Sequence, residues 1–148
     1  MPSVLFLDFD GVLHPKGAGG AAQHFCHRPL LETLLLESAF TQIRIVVAST
    51  WREAYSLQRL REFFCPELRP RIIDRTPVLD DLDSDHLRYR EIRAWLNRHP
   101  EVKQWYALDD DTDGFPDIHR SRVVLTDPAT GLTAREVALL RGLFTKAG

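Results

Sequence analysis

Short apolar runs alternate with amphipathic segments along this chain, and that alternation constrains its fold more than any other feature. The runs are VLFL, IRIVVAS, KQWYAL and RVVL. Unbroken runs with β-branched and aromatic members are typical of strands that are buried on both faces of a parallel sheet. Strands that alternate with helices in this way predict an α/β fold with a doubly wound, mainly parallel sheet.

The segments between the runs carry helix signals. Helices are predicted over residues 28–40, 51–64, 86–99 and 133–144, and a short strand over residues 71–73. Pro29 suits the first turn of the first helix. Thr133 and Glu136 have the spacing of a capping box at the start of the last helix. Residues 16–25 are rich in glycine and alanine, and we expect them to form a flexible flap.

Size and composition limit the classes of protein to which the chain can belong. Its 148 residues predict one domain over residues 1–148. A net charge of −2 gives no overall basic character for binding long nucleic acids. Cys26 and Cys65 are too few for a disulfide scaffold, and no apolar stretch approaches the roughly 20 residues of a membrane span. Because no signal-peptide pattern is present either, we expect a cytoplasmic protein with no membrane contact.

The first apolar run ends in two aspartates one residue apart. In extended chain, residues i and i+2 point to the same side, so Asp8 and Asp10 face one small volume while Phe9 points away. Two carboxylates held that close resist joint ionisation unless a cation lies between them. Gly11 then lets the chain turn sharply. The alternative is an ordinary strand-to-loop turn with local hydrogen bonds.

The later apolar runs also end in polar residues, which are Ser49 and Thr50, then Asp109, Asp110 and Asp111, then Thr126 and Asp127. Ligand sites of open α/β sheets lie outside the carboxyl ends of the strands, so these side chains are expected to converge. A carboxylate cluster without matching histidines or cysteines suits a hard, oxygen-preferring cation. The sequence therefore predicts a Mg²⁺ site at this edge of the sheet.

Histidines near the N-terminus do not add a second metal site. His14 and the stretch HFCH at residues 24–27 fit no recognised zinc spacing. We therefore interpret them as incidental residues of the flap.

Four motifs, taken in order, resemble those of the haloacid dehalogenase (HAD) superfamily. They are DFDGVL, the strand that ends in Ser49, a basic residue at the start of the third helix, and ALDDD, and together they span residues 4–127. The phrases STWRE, RTPVL, REIRAWL, WYALDDD and TDPATGLT are similar to the small HAD domains of the Swiss-army-knife RNA repair proteins. The resemblance implies a Rossmann-like core without a cap domain, since predicted elements fill the intervals from Asp8 to Ser49 and from Ser49 to Arg88.

The resemblance also implies roles for the acidic residues. Asp8 is expected to attack phosphorus and form an aspartyl-phosphate. Asp10 is expected to protonate the departing oxygen and later to take a proton from water. Asp8, the backbone carbonyl of Asp10, and Asp110 are expected to hold Mg²⁺. Asp109 is the next candidate for the Mg²⁺ site, either as a direct ligand or as a residue that contacts one of the ligands.

The phosphate-binding motifs leave alternatives open. Ser49 is expected to donate a hydrogen bond to a phosphoryl oxygen, and Thr50 competes because a one-residue shift exchanges the two hydroxyls. The superfamily usually has lysine at its third motif, whereas Arg88 occupies the first turn of the helix here, with Arg90 as the alternative. Arg52, with Trp51 beside it, is a candidate for holding a substrate phosphate and base.

These observations predict a Mg²⁺-dependent phosphomonoester hydrolase. A site without a cap stays open, so its substrate is expected to be large, and by resemblance a nucleic-acid end. An oligomer or a partner chain that closes the site is an alternative way to complete it. A domain that binds phosphate and Mg²⁺ without turnover is the competing hypothesis, and only the enzyme would release phosphate.

Overall fold

A computed structural model describes residues 3–17, 23–80 and 85–147 of the chain. Within these ranges the backbone forms one sheet of five strands in the order β3-β2-β1-β4-β5. Every pairing is parallel. The strands are β1 (Ser3–Leu7), β2 (Ile43–Val47), β3 (Ile72–Arg75), β4 (Gln104–Asp109) and β5 (Val123–Leu125). The predicted doubly wound α/β fold is therefore confirmed, and the described residues include no separate cap.

Helices cover both faces of the sheet. They are α1 (Arg28–Leu35), α2 (Leu57–Glu62), α3 (Leu87–Asn97) and α4 (Ala134–Ala147). Buried side chains of α1, α2 and α4, such as Leu31, Leu60 and Leu140, share one core with Leu5 and Leu7 of β1. Side chains of α3 form a second core with the alternate residues of β1 on the opposite face. This two-sided burial explains why β1 shows no polar alternation.

The register of the central strands aligns their carboxyl ends. Leu7 of β1 pairs with Val47 of β2 and with Leu108 of β4. The residues that follow these three positions therefore emerge at one edge of the sheet. Asp8 and Asp109 are two of them, so the parallel pairing itself brings acidic residues together.

Two predicted helices are shorter than the sequence suggested. The helix predicted over residues 28–40 ends at Leu35, because Glu37 is extended, and a 3₁₀ turn over Ser38–Phe40 follows. The helix predicted over residues 51–64 begins only at Leu57. Ser56 caps it by accepting a hydrogen bond from the Arg59 backbone N–H at 3.2 Å, and serine stabilises a helix start better than a helix interior.

Three further predictions concern the start of the last helix, the flap and membrane spans. The predicted capping box forms, because Glu136 Oε1 accepts a hydrogen bond from the Thr133 backbone N–H at 2.8 Å and Thr133 Oγ1 accepts one from Arg135 N–H at 3.3 Å. Residues 18–22 of the predicted flap lie outside the described residues. None of the helices in the described part of the chain is long and apolar enough to cross a membrane.

Arg52 joins three segments of the fold. Its buried guanidinium donates from Nε to the Thr76 carbonyl at 3.0 Å and from Nη1 to the Ser49 carbonyl at 2.9 Å. Its Nη2 lies 2.7 Å from Oε2 of Glu91, which also accepts from the Leu79 backbone N–H at 3.1 Å. These contacts tie together the turn after β2, the segment after β3, and α3. They give Arg52 a structural role, and its candidate role in binding a substrate phosphate stays a prediction.

We expect Arg52→Met to lower the free energy of unfolding by about 3–5 kcal/mol, because Glu91 would stay buried without its cation. Urea denaturation measures this loss. Arg59→Met is the matched control, since Arg59 pairs with Glu62 on the exposed surface and its loss should cost less than about 1 kcal/mol. Equal losses in the two variants would contradict a structural role for Arg52.

Candidate active site at the carboxyl edge of the sheet

A cavity of about 450 Å³ opens at the carboxyl ends of β1, β2 and β4. The residues that line it are Asp8, Asp10, Lys16, Thr50, Arg88, Asp110, Asp111, Thr112 and Pro128. The structure therefore brings five of the predicted site residues to one cavity. Three others lie apart from its lining: Asp109 is beneath it, Ser49 is buried beside it, and Arg52 is engaged in the fold.

Asp8 and Asp10 face this cavity as the i, i+2 spacing predicted. Asp8 is buried, while the Asp10 side chain is 41% exposed. Phe9 points the opposite way and packs in the core against the Phe25 ring. The two carboxyl groups thus share a cavity but have different surroundings.

Gly11 makes the turn that follows these aspartates. Its φ is +77°, a backbone conformation that residues other than glycine rarely adopt. A Cβ at this position would also overlap the carboxylate of Asp110. The carbonyl of Gly11 accepts a hydrogen bond from Thr126 Oγ1 at 2.5 Å, which ties the turn to the end of β5. Glycine is therefore required for Asp110 to approach the end of β1.

Asp109 organises the loop after β4. Its Oδ1 accepts hydrogen bonds from the backbone N–H groups of Asp110 at 2.8 Å and Asp111 at 3.0 Å. Its Oδ2 lies 3.0 Å from Nε of Arg88. These contacts turn the chain so that Asp110 reaches the cavity.

Asp8, Asp109 and Asp110 form a carboxylate cluster that could hold a metal ion. Each offers one oxygen, and the three oxygens lie within 4.8 Å of one another. Oxygen donors from carboxylates are the ligands that Mg²⁺ prefers. The carboxylate of Asp10 is not part of this cluster, and a contribution of its backbone carbonyl to such a site stays a prediction.

The pKa values of Asp8 and Asp109 are raised in this cluster. Burial raises the pKa of Asp8 well above its ordinary value, and the nearby Asp109 carboxylate raises it further, against the opposing charge of Arg88. Burial also raises the pKa of Asp109, from 3.8 to about 6, although Arg88 again opposes the change. The fold therefore disfavours the charged forms of these two carboxyl groups, and a bound cation would relieve that cost.

Arg88 reaches the cavity from the first turn of α3. Its Nη2 lies 3.7 Å from Oδ1 of Asp8, in addition to the contact between its Nε and Asp109. The backbone N–H of Tyr89 donates to the Gly114 carbonyl at 3.0 Å, which fixes the start of α3 against the loop after β4. Arg90, the alternative, is exposed and lies outside the lining of the cavity. The geometry favours Arg88 for the basic motif.

The two hydroxyl candidates take different positions. Ser49 is fully buried, and its Oγ accepts a hydrogen bond from the Trp51 backbone N–H at 3.2 Å, which caps the 3₁₀ turn over Thr50–Glu53. Thr50 is exposed and lines the cavity. Thr50 is thus the hydroxyl that lines the cavity, whereas the sequence placed Ser49 first, and the full burial of Ser49 is the reason for the difference.

His14 and Trp51 both contact Asp10, which the sequence did not predict: it indicated an incidental flap residue for His14 and contact with a substrate base for Trp51. His14 Nε2 lies 2.6 Å from Oδ1 of Asp10, and Trp51 Nε1 donates to both carboxylate oxygens at 3.1 Å. The turn at Gly11 brings His14 back beside Asp10. The i, i+4 spacing of Asp10 and His14 after a predicted turn was a usable signal for the first contact. The Trp51 contact joins the segments that follow β1 and β2, and no local sequence pattern predicts a contact between residues so far apart.

The fold and this geometry agree with a family comparison. The model of a family described as the HAD domain in Swiss Army Knife RNA repair proteins matches residues 4–137. A search of curated proteins and a search of solved structures gave no match. The family match covers all five strands and every acidic residue of the cavity. The chain therefore belongs to the family of HAD domains found in Swiss Army Knife RNA repair proteins.

Proposed function

We propose that this chain is a Mg²⁺-dependent phosphomonoester hydrolase that works through an aspartyl-phosphate on Asp8. One observation carries the proposal: Asp8, Asp10 and Arg88 line the same open cavity, where Asp8 also belongs to a carboxylate cluster with Asp109 and Asp110. A phosphoryl group placed there would have a nucleophile, a proton donor and a cation within one small volume.

Asp8 supplies the nucleophile in this mechanism. A carboxylate oxygen of Asp8 forms a bond to phosphorus while the bond from phosphorus to the ester oxygen breaks. Mg²⁺ held by Asp8, Asp110 and the backbone carbonyl of Asp10, with Asp109 as a further candidate ligand, would offset the repulsion between the anionic carboxylate and the anionic phosphate. Arg88 contributes positive charge on the same side, since its Nη2 lies 3.7 Å from Asp8.

Asp10 supplies and recovers the proton. It protonates the leaving ester oxygen in the first step, so that an alcohol departs rather than an alkoxide. In the second step the Asp10 carboxylate takes a proton from water as the water oxygen attacks phosphorus. Inorganic phosphate leaves and Asp8 is regenerated. The greater exposure of Asp10 suits a group that must meet both the leaving group and water.

Thr50 and Arg88 are proposed to bind the phosphoryl oxygens. Both line the cavity, and hydroxyl and guanidinium groups stabilise the charge that is spread over these oxygens during transfer. Lys16 lies on the same lining and offers a further cation to an anionic substrate. A nucleic-acid end is the substrate class that the family context favours, and the open cavity can admit it. A partner chain that closes the cavity would be compatible with the same chemistry.

The first prediction from this mechanism concerns Asp8. We expect wild-type protein with Mg²⁺ to release phosphate from an aryl phosphate or from an oligonucleotide with a terminal phosphate, and Asp8→Asn to lose that release to background. A phosphate-release assay with and without Mg²⁺, on 5′- and 3′-phosphorylated oligonucleotides, measures this. Mg²⁺ binding without release from any substrate would instead support the non-catalytic module.

The second prediction separates the two hydroxyls. We expect Thr50→Val to lower kcat/KM about 10²-fold, since it removes a donor to the transferring phosphoryl group, whereas Ser49→Ala should retain most of the activity. Steady-state kinetics on one substrate give the comparison, and thermal unfolding checks that Ser49→Ala remains folded. A larger kinetic loss in Ser49→Ala would return the role to Ser49.

The third prediction concerns pH and Mg²⁺. Because the folded state raises the pKa of Asp109 from 3.8 to about 6, the folded protein binds this proton more tightly than the unfolded chain does. Stability from this group is therefore lost as pH rises from about 4 to about 6. We expect Mg²⁺ to raise the unfolding temperature more at pH 7.5 than at pH 5. Asp109→Asn, as control, should show a smaller difference, and equal Mg²⁺ stabilisation at both pH values would contradict the prediction.

A further inference from the structure

We propose that His14 and Trp51 are positioning residues that fix the orientation of the Asp10 carboxyl group for proton transfer to the leaving oxygen. This inference rests on the proposed function, because it concerns the group that protonates the leaving group there. It is carried by the contacts around Asp10 and assigns a task to two residues that the mechanism otherwise does not use.

His14 is held in one tautomer by its own surroundings. The ring is buried, with 1% exposure, and its Nδ1 accepts a hydrogen bond from the Phe25 backbone N–H at 3.1 Å. Since Nδ1 is an acceptor, the ring hydrogen is on Nε2. Nε2 therefore donates to Oδ1 of Asp10 across 2.6 Å. A neutral imidazole with a fixed tautomer orients a carboxyl group in the same way that a hydrogen-bonding partner orients a side chain that binds a metal.

The backbone that provides this N–H is itself unusual. Phe25 has a φ of +63°, in the left-handed region that residues other than glycine rarely adopt. Its ring packs against Phe9 and against His14, with centroid distances of 5.5 and 5.4 Å. These contacts hold the Phe25 N–H against His14 in spite of the strain.

Trp51 holds the same carboxyl group from the 3₁₀ turn that follows β2. Its Nε1–H lies 3.1 Å from both oxygens of Asp10. The indole is enclosed by Phe9, Phe25 and Phe63, with ring centroids 5.9, 5.1 and 5.5 Å away. A ring packed on these sides cannot follow a rotating carboxyl group, so it fixes the plane of that group.

The two donors leave the two oxygens of Asp10 unequal. Oδ1 accepts from both His14 and Trp51, whereas Oδ2 accepts from Trp51 alone. Oδ2 thus keeps the larger hydrogen-bonding capacity for the leaving oxygen and later for water. Both donors are neutral, so they orient the carboxyl group without adding a positive charge beside it. Misplacing a proton donor by about 1 Å can cost about 10²-fold in rate.

The test compares two leaving groups in wild type and in three variants. Trp51→Phe keeps an aromatic ring and removes the N–H. His14→Asn keeps an acceptor near the position of Nδ1 but cannot reach Asp10, whereas His14→Gln places an amide N–H near the position of Nε2. Each protein is assayed by kcat/KM, which reports the transfer to Asp8, on 4-nitrophenyl phosphate and on an alkyl phosphate such as glycerol 2-phosphate. The nitrophenolate leaves without a proton, and the alkoxide requires one.

We expect Trp51→Phe and His14→Asn to lower kcat/KM for the alkyl phosphate about 10²-fold, and for 4-nitrophenyl phosphate less than about threefold. His14→Gln should recover most of the loss on the alkyl phosphate, and Asp10→Asn should show the same difference between substrates in stronger form. Phe144→Leu is the structural control. Phe144 of α4 is buried and packs against the rings of Phe40 and Tyr106, so this variant should lower the unfolding temperature and leave the ratio between the substrates unchanged.

The outcomes separate the inference from the function on which it rests. Equal losses on both substrates, or none, with wild-type release still dependent on Asp8, would overturn the positioning role and leave the hydrolase standing. Failure of the wild-type protein to release phosphate from either substrate, or release that persists in Asp8→Asn, would overturn the proposed function and the inference with it.

Discussion

Repulsion among buried carboxylates is the constraint on which the site depends. The parallel register of β1 with β4 brings Asp8 and Asp109 to one edge, and the turn at Gly11 admits Asp110 beside them. Burial and mutual proximity raise the pKa values of Asp8 and Asp109. Because a raised pKa means that folding disfavours the charged form, both groups lower the stability of the fold at neutral pH. Arg88 offsets part of this cost. The remainder is the physical reason to expect a cation at this place, whatever reaction follows.

Two arginines near the site illustrate why function cannot be read from residue type alone. Arg88 and Arg52 both carry a planar fork that suits phosphate. The Arg52 fork is occupied by two carbonyls and by Glu91 on α3, and so it stabilises the fold. The Arg88 fork lies against Asp8 at the cavity, where it can meet a ligand. The difference comes from the partners that the tertiary structure supplies to each arginine.

The sequence predicted the features that are encoded locally. The unbroken apolar runs predicted the strands of the parallel sheet, and the acids at their carboxyl ends predicted the cluster. Ser56 was missed as a helix cap, because a serine inside an amphipathic pattern gives no sign of whether it caps or continues the helix. The order of Ser49 and Thr50 depended on the rotation of one turn, which no pattern fixes. The partners of Arg52 lie on separate elements far along the chain and could not be inferred from spacing.

The two carboxyl groups of DFDG differ in ways that match two different tasks. Asp8 is buried, lies beside the guanidinium of Arg88, and shares its cluster with two further acids. Asp10 is 41% exposed, stays outside that cluster, and has neutral donors on both oxygens. Because burial and the neighbouring acids raise the pKa of Asp8, the proposed nucleophile depends on the positive charge of Arg88 and of a bound cation to be present as an anion. A carboxyl group that faces solvent and has no cation of its own can exchange a proton. The i, i+2 spacing directs both carboxyl groups to the same cavity, so the difference between them comes from the partners that the surrounding segments supply.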